Sequence, residues 1–160
     1  MENNNPYAAP TAHVEDIVRG AAAPPLWNPN AAAVWSLLFT PIFGAWLQMK
    51  NWQALGEAKQ AAASRAWAIG NLVVFVGVLA LAVLAPETKL LDSVTRILQL
   101  VLLISWYVNS ARTQVRFVKE RFGTGYPRRG WAKPLLIGVG LWIVFLGVTV
   151  AAVLGLGSAD

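Results

Sequence analysis

The chain has 160 residues, 56% of them hydrophobic and 13% charged, with a net charge of +5 and no cysteine. Soluble domains carry about 25% charged residues, so the deficit fits lipid-exposed surface. Disulfides, thiol catalysis and Cys-ligated metals are excluded, and a single histidine, His13, leaves no His-based metal site or nucleophilic triad to assemble.

Residues 1–29 read as a mobile tail. Pro6, Pro10, Pro24, Pro25 and Pro29 break helices there, and Ala12–Arg19 is the one short helix candidate. The tail is polar and carries Glu2, Glu15 and Asp16, so no cleavable signal peptide is expected. Trp27 is placed to anchor the chain at a membrane interface.

Residues 30–160 read as one transmembrane helical domain. Ala31–Met49, Ala66–Pro86, Ile97–Ala111 and Pro134–Ala159 carry no charged side chain. A helical span needs about 20 apolar residues, and the runs show no period-2 alternation of a β-barrel. The expected fold is an all-α bundle of four transmembrane helices. Pro41 kinks the first segment, and a kinked full span is preferred over a re-entrant hairpin. Ala32, Ser36, Thr40 and Gly44 recur every four residues and form a predicted helix-packing or partner face.

Gly56 predicts a break, after which a helix runs from about Glu57 to Ala85, stopped by Pro86. Asn71 in that helix is expected to bond a neighbouring helix. The third uncharged run is short, and extension back to Leu90 gives it enough length, with Asp92 and Arg96 paired at i,i+4 and Gln99 on the same side. This helix is expected to continue past the bilayer, with Val115, Val118 and Phe122 on one face. Gly123-Thr124-Gly125 misses the spacing of a phosphate loop and reads as a turn completed by Tyr126-Pro127. The fourth span, entered at Trp131, Lys133 and Pro134, carries a second small-residue stripe, Gly147, Ala151 and Gly155.

Basic residues divide unevenly between the connections. Lys50, Lys59, Arg65, Arg112, Arg116, Lys119, Arg121, Arg128, Arg129 and Lys133 fall in the first and third loops. Arg19, Lys89 and Arg96 fall on the other side of a four-span arrangement. The positive-inside rule then puts loop 112–133 in the cytoplasm and the C-terminus in the periplasm. A re-entrant first segment would move the N-terminus inside and leave three crossings. Arg112, Arg116, Lys119, Arg128 and Arg129 form a basic surface suited to anionic headgroups, each worth about 1 kcal/mol. Nucleic acid is not expected as a partner, because basic loops beside spans occur simply to set topology.

Acidic residues are scattered over three connections, and no acid/base pair forms. Neither an enzymatic activity nor a cofactor is expected. The composition favours binding of a membrane protein partner, with a small oligomeric channel or transporter as the alternative. Polar residues within the spans are few for a conduction path.

Asn5-Pro6-Tyr7-Ala8-Ala9-Pro10 and the run from Trp27 to Gly44, followed by Asn51-Trp52-Gln53-Ala54-Leu55-Gly56, resemble a family of small multi-span proteobacterial membrane proteins. The resemblance covers about the first third of the chain. It implies a Gram-negative inner-membrane location and brings no assigned activity or site residues. Some small multi-span proteins of this kind are immunity proteins against membrane-active toxins, which makes a toxin one possible form of the expected partner.

Overall fold

The computed structural model describes residues 23–86 and 88–157. The rest of the tail, with Ala12–Arg19 and His13, lies outside the described residues. The elements are α1 (Pro29–Ala54), α2 (Ala58–Leu84), α3 (Lys89–Trp106), a π-helical turn (Tyr107–Ala111), α4 (Arg112–Phe122) and α5 (Ala132–Gly157). From α3 to α4 the helix is continuous over 34 residues. With that stretch counted once, four helices among the described residues are long and apolar enough to cross a membrane, and the expected all-α membrane bundle is what the chain forms.

The first helix is two arms rather than one rod. Asn28 caps its start by accepting a hydrogen bond from Asn30 N–H at 3.0 Å, and Pro29 sits at the first helical position. The helix breaks at Thr40, where φ is 74° and ψ is 159°. Pro41 follows, and a residue before proline is kept out of the α region by the proline ring. The chain reverses at that point. Trp27 N–H donates to Asn51 Oδ1 at 3.0 Å, and Asn51 Nδ2 donates to Trp27 C=O at 2.8 Å. An unbroken helix would hold these residues ~36 Å apart at 1.5 Å per residue. Ala32 packs with Phe43 and Leu47, and Ser36 lies against Gly44. Residues 29–39 and 41–54 therefore form an antiparallel helical hairpin. Of the two expectations for Pro41, the hairpin replaces the kinked full span.

The hairpin is the centre of the molecule, and it touches α2, α3, the π turn, α4 and α5. Gly56, at φ +77°, makes the turn into α2 that the sequence predicted. Ala85 is extended, and Pro86 follows. Thr88 caps α3 by accepting from Leu91 N–H at 3.2 Å. The π turn at Tyr107–Ala111 has a packing consequence. Side chains four apart on an α-helix drift ~40° around the axis per step. The wider turn absorbs part of that drift, so Trp106, Ser110, Gln114 and Val118 are all buried. Gly138 of α5 packs on the tip of the first arm: an added Cβ would meet Phe39 Cδ1 at 3.0 Å. The faces of α2, α3 and α5 turned away from the hairpin expose Leu, Val and Ile side chains throughout, which suits hydrocarbon and not water.

Candidate functional site

No group of three or more His, Cys, Asp or Glu side chains among the described residues could hold a metal ion. The polar residues gather in three other places: a buried amide network, a basic aromatic cap beside it, and a cleft beyond the hairpin tip.

The amide network joins the second arm of the hairpin to the α3–α4 helix. Gln48, Asn51 and Gln114 have no exposed surface, and Ser110 is nearly as buried. Ser110 Oγ donates to Gln48 Oε1 at 2.9 Å, and Gln114 Nε2 donates to Gln48 C=O at 2.9 Å. Asn51 Nδ2 donates to Gln114 Oε1 at 3.2 Å as well as to Trp27 C=O. One asparagine thus ties three segments: the chain before the hairpin, its far arm, and α4. Two buried donors here, Gln48 Nε2 within the network and Trp106 Nε1 near it, have no hydrogen-bond partner among the described residues. Composition did not single out this network, since its members sit at the margins of the uncharged runs. The signal present in the sequence is their spacing, Gln48/Asn51 at i,i+3 and Ser110/Gln114 at i,i+4, which puts each pair on one helical face.

The cap lies at the end where the hairpin opens. Leu26 pairs with the loop after α4: its N–H donates to Pro127 C=O at 3.0 Å, and its C=O accepts from Arg129 N–H at 2.9 Å. Leu26, Val118 and Tyr126 form a small core with Phe117 and Phe122 against it, so the predicted apolar face of α4 is buried at Val118 and partly buried at Val115 and Phe122. Trp27 is held on both sides. Its Nε1 donates to Gly130 C=O at 3.0 Å, and the Arg129 guanidinium lies over its ring at 4.7 Å. Arg128 lies over Tyr126 at 5.8 Å. Burial pushes the Tyr126 phenol up from its ordinary range, against the opposing pull of Arg128. Arg121 covers Phe117 and faces Glu57 at 3.8 Å. Among the five residues predicted to form the basic surface, Arg112, Arg116 and Lys119 are exposed, while Arg128 and Arg129 also cover aromatic rings.

The two small-residue stripes have different fates. Ala32, Ser36 and Gly44 are buried, but they do not share one face of one helix. The break at Thr40 puts Ser36 and Gly44 on opposite arms, where they let the arms meet under Trp106. Four-residue spacing counted across Pro41 presumed a continuity that the backbone lacks. On α5, nothing lies within 4 Å of a Cβ built on Gly147, and Ala151 is exposed. The surroundings of the Gly155 side-chain position lie outside the described residues. Asn71 donates to Trp67 C=O of its own helix at 2.8 Å, in place of the expected bond between helices.

No protein-family model, curated protein or solved structure matches this chain. The functional reading therefore rests on its own geometry.

A further set of polar side chains lines the cleft. Asp92 and Arg96 pair as predicted, with Arg96 Nη2 at 3.0 Å from Asp92 Oδ2. Arg96 and Gln99 both face the space beyond Thr40. Trp142 Nε1 of α5 donates to Leu38 C=O at 3.2 Å, which satisfies one carbonyl left free by the break.

Proposed function

We propose that the chain is a bacterial inner-membrane protein that works by binding a membrane protein partner and carries out no chemistry of its own. α2, the α3–α4 helix and α5 cross the bilayer, and α1 enters and leaves on the cytoplasmic side. The distribution of basic residues supports this orientation. Lys50, Lys59, Arg65, Arg121, Arg128, Arg129 and Lys133 stand at or near the end where the hairpin opens, and Arg112, Arg116 and Lys119 extend along α4. Lys89 and Arg96 are the basic residues at the other end among the described residues. The positive-inside rule assigns the richer end to the cytoplasm and the end of α5 to the periplasm.

The open face of α5 carries the partner-binding reading. Ser36 and Gly44 of the hairpin already pack on one another, whereas Gly147 and Ala151 present a backbone that another helix can approach closely. A photo-crosslinker at Val148 in native membranes should capture one specific membrane protein, and Gly147→Leu should abolish that capture without lowering the protein's own melting temperature. Unchanged capture in Gly147→Leu would remove α5 as the binding face. A membrane-active toxin is the narrower form of the partner, and deletion of the gene should then sensitise cells to that toxin.

A further inference from the structure

Two adjoining spaces lie between α2 and α3. One, of about 420 Å³, opens beside the 85–88 connection, with Thr88, Lys89, Asp92 and Thr95 on the α3 side and apolar residues of α2 on the other. The other, of about 440 Å³, lies beneath the hairpin tip, where Ser36, Thr40, Asn71, Arg96 and Gln99 stand in a lining that is otherwise aliphatic and aromatic. Val78 borders both, so together they form one cleft from the molecular end to the hairpin. Its polar wall is built by α3, because Asp92, Thr95, Arg96 and Gln99 recur at three- and four-residue steps. The opposite face of the same helix is apolar, with Ile97 and Val101 exposed by 62% and 52%.

We propose that this cleft is filled with water and admits small hydrogen-bonding solutes as far as the hairpin tip. Gln99 stands ~15 Å along the helix from Lys89, about half the thickness of a bilayer core. A primary amide at that depth, and the Arg96 guanidinium ~5 Å nearer Lys89, require water or protein around them, and the cleft supplies no further protein. The break at Thr40 makes the same demand independently. Backbone that leaves the helix at membrane depth is tolerated only where it is buried or lines an aqueous cavity, and Thr40 lines this one. Asn71 is 94% buried by its 6% exposure, and its Nδ2 is committed to Trp67, which leaves Oδ1 as an acceptor in the cleft. Asp92 and Arg96 neutralise one another, so the lining suits water and uncharged polar solutes more than a free ion. Beyond the tip Gly44, Trp106 and the amide network are buried, so the cleft stops at the hairpin. The proposal rests on membrane embedding and is independent of any partner at α5.

The absence of cysteine allows a direct test in the full chain. Single cysteines at Thr95, Asn71 and Gln99 would be exposed to a charged, membrane-impermeant methanethiosulfonate added at the 85–88 face. Ile97→Cys and Val101→Cys are the controls on the lipid face. Gln99→Cys and Thr95→Cys should react faster than both controls by roughly tenfold or more, since only a hydrated thiol ionises and meets a charged reagent. Asn71→Cys keeps the test valid if Gln99→Cys fails to fold. Rates equal to those of the controls would mean that hydrocarbon fills the cleft. Disulfide-linked dimers through Gln99→Cys would mean that a second copy covers it. Labelling only from the opposite face would show a different mouth, and each of these three results overturns the proposal.

Discussion

At Gly44 an added methyl would meet Trp106 Cη2 at 2.5 Å as well as the Ser36 hydroxyl on the opposing arm. A ring held in a fully buried site cannot swing away cheaply. Gly44→Ala is expected to destabilise the protein by about 1–3 kcal/mol, the usual cost of overpacking. Gly147 faces open space, so Gly147→Ala is expected to be neutral or to stabilise by up to ~1 kcal/mol through helix propensity. Melting temperatures in one detergent compare the two, and equal losses at both positions would contradict the packing described for the hairpin. Asn51 offers a second comparison at this scale. Asn51→Ala removes the tie between Trp27, the second arm and Gln114 and leaves buried groups unpaired, which costs about 1–3 kcal/mol. Asn109→Ala breaks only an exposed bond to Ser105 C=O and should fall within about 0.5 kcal/mol of the parent.

The hairpin is the element on which the fold depends, and it was partly hidden in the sequence. Pro41 and the uncharged run gave two readings, a kinked span and a hairpin, because proline marks a break without fixing its angle. What decides between them is long-range: Asn51 returning to Trp27, and Ser36 fitting against Gly44. By contrast, the turn at Gly56, the stop at Pro86, the Asp92–Arg96 pair and the long α3–α4 helix are set by local chemistry and were readable at once. The π turn has no comparable local mark. Its register follows from packing Trp106, Ser110 and Gln114 on the hairpin together. Thr40 is the strained point of the element, with a β-branched residue at φ 74° and ψ 159° in a region used almost only by glycine. Thr40→Gly is therefore expected to raise stability by about 1 kcal/mol, measured as a higher melting temperature, and a lower one would mean that the Thr40 side chain itself holds the tip.

Across the whole molecule, the two ends differ in kind. The end holding Leu26, Asn51, Gln114 and the loop after α4 is a closed cap of amides, aromatic rings and arginines. The end around the 85–88 connection is an open cleft. A hairpin that rises from the capped end to mid-depth explains both. It fills one half of the bundle and leaves the other half without a fourth helix between α2 and α3. On the proposed three-crossing topology, residues 23–28, the α1–α2 turn and the α4–α5 loop lie on one side of the bilayer. Single cysteines at Pro25, Gln53, Gly125 and Pro86, labelled in intact cells by an impermeant thiol reagent, measure this arrangement directly. The hairpin predicts that Pro25→Cys, Gln53→Cys and Gly125→Cys are all protected while Pro86→Cys reacts. Reaction of Pro25→Cys together with Pro86→Cys, with Gln53→Cys protected, would show that α1 crosses the bilayer and would contradict the account.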